Sequence, residues 1–262
     1  MNVLDFLSKK QKGEKITVVT CYDATTAAIA NQTDIDVLLV GDSVSMVVHG
    51  HQNTTTATIE MMQLHTKAVA TGATDKFIVA DLPFMSYRGI LKDTVANVQA
   101  LVQSGAHAVK LEGAQGNLEI INHIVHSGVP VMGHIGLTPQ HVHNFGGFRV
   151  QGKDNQAKSR LIQQAKDLEN AGCFAIVLEC MPADLAAEIT SLLNIPTIGI
   201  GAGSQTDGQV LVWHDLLGLT ENSPFKFVKE YLNGYELIQS ALTEYNLEVK
   251  SGAFPKKEHS FN

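Results

Sequence analysis

Disulfide and zinc frameworks are ruled out first, because Cys21, Cys173 and Cys180 are odd in number and show no C-x-x-C spacing; reduced, mostly buried thiols are the expectation. No apolar run approaches the roughly 18 residues of a membrane span. The longest candidates are broken by Gly, Asp or Pro, so no membrane residence is expected. Basic charge is also scarce. Nineteen Lys and Arg against 26 Asp and Glu give a net charge of −7, which repels a phosphate backbone unless a local basic stripe offsets it. No such stripe exists, so nucleic acid is not an expected partner. The densest basic segments, Lys9-Lys10 with Lys12 and Lys15, and Lys256-Lys257, read as solvated ends. Met1 to Lys15 lacks the apolar core and small-residue cleavage site of a signal peptide, which gives a cytoplasmic expectation. Walker A, nucleophile-elbow and H-E-x-x-H patterns are absent as well.

The composition is that of an enzyme-sized globule. With 262 residues, 44% hydrophobic and 17% charged, neither a disordered tail nor a fibrous repeat fits. Short β-branched apolar runs alternate with longer stretches of helical spacing, the signature of a parallel sheet with helical crossovers. The runs are Ile16–Cys21, Val37–Val40, Phe77–Ala80, Ala108–Leu111, Val129–Met132, Phe174–Leu178, Thr197–Ile200 and Val210–Trp213, eight in all. Between them, Leu91, Val95, Val98 and Val102, and Leu161, Ala165 and Leu168, step as apolar helix stripes do. Thr58 with Glu60 suits a helix start, and Gly105, Gly128 and Gly172 suit helix ends. Eight such units match the usual size of a (β/α)8 TIM barrel. With no linker of Pro, Ser and Gly, one domain over residues 1–262 is expected. Leu137 to Asp154 is too long for a tight loop and reads as an insertion over a site. The pattern Phe227, Tyr231, Leu237 and Leu242 predicts a C-terminal helical extension.

A TIM barrel carries its active site at the C-terminal ends of its strands, and the residues ending these runs are strongly polar: Tyr22-Asp23, Asp42-Ser43, Asp81, Lys110 with Glu112, His134, Glu179 and Gly201-Ala-Gly203. Asp42 and Asp81 leave neighbouring strands in the same context. Two hard carboxylates there suit Mg2+, while a helix N-cap is the plainer role for each. Glu112 would join as a third acid, directly or through water. Lys110 and Glu112 are two apart and so share a strand face. Either Lys110 is simply the ion-pair partner of Glu112, or it also supplies charge to a substrate carboxylate or a developing enolate. A Schiff-base lysine ranks last, because nearby carboxylates raise its pKa.

Glu179 ends a wholly apolar run, where desolvation should raise its pKa into the range of a general base; the alternative is a carboxylate held by backbone N–H groups. His134 could hydrogen-bond a substrate, orient a ligand or be structural. Gly199-Ile-Gly201-Ala-Gly203 has its third glycine one residue too early for a dinucleotide fingerprint. These glycines either admit a substrate close to the backbone or relieve packing at the rim. The residues together point to metal-assisted enolate chemistry.

Val40-Gly-Asp-Ser43, Ala80-Asp-Leu-Pro-Phe-Met85, Val109-Lys-Leu-Glu-Gly113, Gly133-His-Ile-Gly-Leu-Thr-Pro139, Val177-Leu-Glu-Cys180, Gly199-Ile-Gly-Ala-Gly203 and Glu258-His-Ser-Phe261 occur in this order. The chain closely resembles the ketopantoate hydroxymethyltransferase family over nearly its whole length. The resemblance implies an α/β fold, a (β/α)8 barrel of the phosphoenolpyruvate/pyruvate type. It implies transfer of a one-carbon unit from 5,10-methylenetetrahydrofolate to 3-methyl-2-oxobutanoate through a Mg-stabilised enolate, giving ketopantoate for pantothenate biosynthesis. By matching motif, Asp42, Asp81 and Glu112 fall on magnesium positions. Asp42, Ser43, Asp81 and Lys110 fall on keto-acid positions, with His134 beside them as a candidate substrate contact. Glu179 falls on the proton acceptor. The resemblance also implies a homo-oligomer, a decamer. One departure is Gln52-Asn53-Thr54-Thr55, where an acidic residue and a Pro are expected.

Overall fold

The computed structural model describes residues 1–147, 149–220 and 225–261, in two compact units, Met1–Val212 and Trp213–Asn262. In the first unit eight parallel strands close into a barrel in sequence order. They are β1 (Ile16–Thr20), β2 (Val37–Val40), β3 (Phe77–Asp81), β4 (Ala108–Lys110), β5 (Val131–Gly136), β6 (Ala175–Glu179), β7 (Thr197–Ile200) and β8 (Gly208–Leu211), and β8 pairs back onto β1. Its helices are α1 (Val3–Lys12), α2 (Ala24–Asn31), α3 (Val44–Val47), α4 (Ile59–Gly72), α5 (Leu91–Gln103), α6 (Leu118–His126), α7 (Val142–Phe145), α8 (Asn155–Asn170) and α9 (Ala183–Leu192). The second unit holds α10 (Trp213–Leu216) and α11 (Gly234–Ser251). Parallel strands covered on both faces need continuous apolar runs rather than alternation, and β2, β3 and β5 are accordingly buried throughout.

Two strands differ from their predicted limits in ways that matter. β5 begins after Pro130, which has no N–H for a ladder, and continues through Gly133, His134 and Ile135 to Gly136. His134 therefore sits within the strand rather than beyond it. β8 starts at Gly208 instead of Val210, where a Cβ would lie 2.4 Å from the carbonyl oxygen of Ile16, and Trp213 opens α10.

The helices follow their signals with one exception. Thr58 accepts from Met61 N–H, Leu161, Ala165 and Leu168 are buried, and Gly105, Gly128 and Gly172 have positive φ after their helices. On α5, however, the buried face is Thr94, Val98 and Leu101, and Leu91, Val95 and Val102 of the expected stripe are exposed. In the loop after α3, Asn53 Oδ1 accepts from Thr55 N–H and starts a 3-10 turn. The expected C-terminal helix forms as α11, on which Leu237 and Leu242 are exposed; Phe227 and Tyr231 precede it.

The N-terminal end of the barrel is closed by α1. Phe6 is fully buried among Ile16, Val37 and Phe77 at strand starts, and its ring meets those of Phe77 and Phe174 edge to face at 5.3 and 4.9 Å. The N-terminal lysines expected to be solvated ends instead hold this plug in place. Lys9 pairs with Asp36 at 2.7 Å. Lys10 reaches Asp207 at 2.8 Å and the Thr190 carbonyl at 2.9 Å. No helix among the described residues is long and apolar enough to cross a membrane.

Candidate active site

At the opposite end, the strand register brings the predicted residues together. Asp81 and Lys110 are direct partners across β3 and β4, which places their side chains on one face. Lys110 Nζ lies 3.1 Å from Asp81 Oδ1. The partner expected for Lys110 was Glu112, but Glu112 turns to β5 and the loop behind it, its Oε1 3.5 Å from His134 Nδ1 and its Oε2 accepting from Gln140 N–H at 3.0 Å. Asp81 Oδ2 accepts the backbone N–H of Asp42 at 3.0 Å, locking the ends of β2 and β3 together. Asp42 Oδ2 accepts from Gln140 Nε2 at 2.8 Å. Ser43 shares a 2.8 Å hydrogen bond with Tyr22. Asp23, in contrast, takes the capping role: its Oδ1 accepts from Thr26 N–H at the start of α2.

His134 bridges the two sides of the mouth, with Nε2 3.1 Å from Glu179 Oε2. That approach is close but not aligned as a hydrogen bond, since Nε2 is buried without one. Glu179 is positioned by its own main chain: Leu137 N–H donates to Glu179 O at 2.9 Å. The approach needs glycine at 136, with φ of 97° and Glu179 O only 2.2 Å from where a Cβ would stand. The desolvation that the apolar run predicts for Glu179 is partial; its side chain is 16% exposed, against 1% for Glu112 and 3% for Asp81.

The electrostatics follow from four carboxylates facing one lysine and one histidine. Burial, then Asp81 and Glu112, push the Asp42 carboxyl well above the usual range. Burial also raises Asp81, with Lys110 opposing. Burial would lift Glu112 too, but the hydrogen bond and charge of His134, with Lys110, hold it below its ordinary value. Burial and Lys110 work against a charged His134, yet its contacts with Glu112 and Glu179 outweigh them and bring it up to about 9. Lys110 Nζ also lies 3.4 Å from His134 Nδ1, so this nitrogen sits between the lysine, which can donate to it when the ring is neutral, and Glu112 Oε1 at 3.5 Å, which attracts it when the ring is charged. For Lys110, burial is overridden by Asp81, Glu112 and Asp42, and its pKa is raised. A lysine so held is a fixed cation and not an imine-forming nucleophile.

Several residues of this network were not singled out from sequence. Gln140 is its hub: besides Asp42 and Glu112 it binds the Leu82 carbonyl at 3.0 Å and accepts from Tyr87 OH at 2.7 Å. Arg88 Nη2 donates to the Glu112 carbonyl at 3.0 Å, and Asn117 Nδ2 donates to the same oxygen. The available signal was Pro139, which stiffens the turn that carries Gln140 inward. Gly199 and Gly203 serve packing, since a Cβ would meet Thr206 at 2.7 Å and Ala183 at 2.5 Å respectively. Among the described residues, no three His, Cys, Asp or Glu side chains already converge as a cage for a metal; the carboxylates are spaced by the donors just described.

A closed parallel barrel with ionisable residues gathered at the C-terminal strand ends defines a TIM-barrel enzyme. Solved structures share the fold. A phosphonopyruvate hydrolase in complex with oxalate and Mg++ matches with a TM-score of 0.64 at 11% identity, over 99% of this chain and 93% of that one. 2,3-Dimethylmalate lyase, a PEP mutase/isocitrate lyase superfamily member, matches at 0.60 and 13%, over 99% and 91%. A family model described as ketopantoate hydroxymethyltransferase matches residues 1–257. The 3-methyl-2-oxobutanoate hydroxymethyltransferase of Francisella tularensis subsp. tularensis (strain WY96-3418) is 59% identical over all of this chain and 98% of its own length. That of Legionella pneumophila (strain Paris) is 53% identical over the full length of both. The chain belongs to the ketopantoate hydroxymethyltransferase family and is an enzyme of that transferase class.

Proposed function

We propose that this site removes the C3 proton of 3-methyl-2-oxobutanoate and adds the resulting enolate to the one-carbon unit of 5,10-methylenetetrahydrofolate. Water supplies the hydroxyl of the ketopantoate product, and tetrahydrofolate leaves. The observation that carries this reading is the asymmetry among the mouth carboxylates: Glu179 is accessible, while Asp81 and Glu112 are sealed beside Lys110 and His134. A proton acceptor must reach its substrate, whereas charge-holding groups act best when desolvated and fixed.

The donor set suits Mg2+, because the acidic side chains offer hard oxygens and the crowding that raises Asp42 and Asp81 is relieved by a cation. Asp42 and Asp81 would hold the ion, with Glu112 joining directly or through water. Once bound, Mg2+ polarises the keto group and acidifies the C3 hydrogen. Lys110 keeps its positive charge for the keto-acid carboxylate and the developing enolate oxygen, and Ser43 is within the same rim to donate to the substrate. His134, favoured in its charged form by Glu112 and Glu179, sets a positive charge 3.1 Å from the acceptor carboxylate. The homo-oligomer, a decamer, and a cytoplasmic setting belong to the same proposal.

The test is the exchange of the C3 hydrogen of 3-methyl-2-oxobutanoate with D2O, followed by NMR with Mg2+ and without folate. Glu179→Gln is expected to bind the keto acid yet slow exchange by at least about a hundredfold, the scale of a lost general base. Exchange at the rate of the unmodified enzyme would assign the proton transfer to another group.

A further inference from the structure

A two-substrate transfer needs a second binding space next to the first, and one cavity of about 550 Å3 adjoins the catalytic mouth. It shares the mouth's walls residue by residue. Gly113 follows Glu112, Gly136 is the register partner of Glu179, and His141 follows Gln140. Arg88 spans both, lining the cavity while donating to the Glu112 carbonyl.

The lining is unlike the mouth in charge. Arg88, Arg160 and His141 face it, with the amides of Asn144, Gln151 and Gln164, and no Asp or Glu is present among its described lining residues. In a chain of net charge −7, a cavity with two guanidinium groups and no carboxylate selects anions. Arg88 is committed to the Glu112 carbonyl and lies near His141 at 3.3 Å. Arg160, exposed on the outer part of α8, has no salt bridge among the described residues. It is a cation awaiting a partner at the solvent end.

We infer that this cavity receives the folate donor, with the half-buried amides of Gln151 and Gln164 against the amide-edged heterocycle and Arg160 on the carboxylates of its glutamate tail. The inference rests on the folate reading above. It explains how one end of the barrel serves two substrates of opposite demands: the acidic mouth takes a small 2-oxo acid, and the basic annex takes a long polyanion. Guanidinium–carboxylate pairing supplies geometric specificity as well as charge.

The experiment is calorimetric binding of tetrahydrofolate and of tetrahydropteroate, which lacks the glutamate, to the full chain with Mg2+ and 3-methyl-2-oxobutanoate present. The enzyme is expected to prefer tetrahydrofolate by about tenfold or more, the scale of a charge-assisted hydrogen bond. Arg160→Gln should erase that preference while leaving tetrahydropteroate affinity in place, and Arg160→Lys should restore part of it. A preference that persists in Arg160→Gln, or an equal loss for both ligands, overturns the tail assignment and leaves the folate reading standing. An unmodified enzyme that binds neither ligand overturns the folate reading itself, and this inference with it.

Discussion

The two ends of the barrel are built from opposite materials. At the N-terminal end, Phe6, Phe77 and Phe174 interlock and the charges stand outside, as Lys10 does on Asp207. At the C-terminal end the charges are inside: Asp42, Asp81, Lys110, Glu112 and His134 are each no more than 4% exposed, and Asp81 Oδ1 and His134 Nε2 are left without directed hydrogen bonds. Burying ionisable groups this way costs stability, and the apolar plug offsets such a cost. One end therefore holds the fold, and the other spends part of that stability on chemistry.

The largest test of this division is Phe6→Ala. Emptying the plug should lower unfolding free energy by about 3–5 kcal/mol, read in urea titrations, while the KM for 3-methyl-2-oxobutanoate in the folded fraction stays unchanged. A changed KM with little loss of stability would mean the two ends are coupled. A smaller effect is expected at Gln140, where the division blurs because one side chain both fills the core and holds Asp42. Gln140→Leu leaves Asp42 Oδ2, Tyr87 OH and the Leu82 carbonyl short of a partner. It should cost about 2 kcal/mol and lower kcat by about tenfold. Stability loss with unchanged kcat would make Gln140 a core residue only.

Much of the barrel and its mouth is legible in the sequence because both depend on local signals. Apolar runs covered on two faces must be continuous, and the polar residue that ends each run marks the rim; Asp42, Asp81, Lys110, Glu112, His134 and Glu179 all follow from that rule and all reach one end, although His134 does so from within β5. What is illegible is pairing at a distance. That Lys110 meets Asp81 and not Glu112 depends on the β3–β4 register, and no spacing within β4 encodes it. Gln140 is invisible for the same reason, its partners lying on three other segments. The α5 face is ambiguous in sequence because the apolar stripe Leu91, Val95, Val98 and Val102 shares Val98 with a second stripe that includes a polar residue, and only packing against the barrel decides that Thr94 and Leu101 turn inward.

The smallest effect concerns pH at the plugged end. The backbone N–H of Ile78 donates to His107 Nδ1 at 3.0 Å, and the ring stacks on Phe77 at 5.4 Å. An acceptor nitrogen must stay unprotonated, and partial burial holds the His107 pKa below its ordinary value of 6.5. The unfolded chain then binds the proton more readily than the folded one. The stabilisation is complete above about pH 6.5, the unfolded value, and fades as pH falls through the lower folded value. His107→Gln keeps a carbonyl oxygen able to accept from Ile78 but has nothing to titrate. Denaturation midpoints of the two proteins should run parallel above about pH 7, and below it the unmodified chain should lose stability faster. Parallel curves throughout would mean that the His107 nitrogen makes no titrating contribution and that acid sensitivity arises from other groups, of which Glu112, held below its ordinary value, is the one in the catalytic mouth with the right sign.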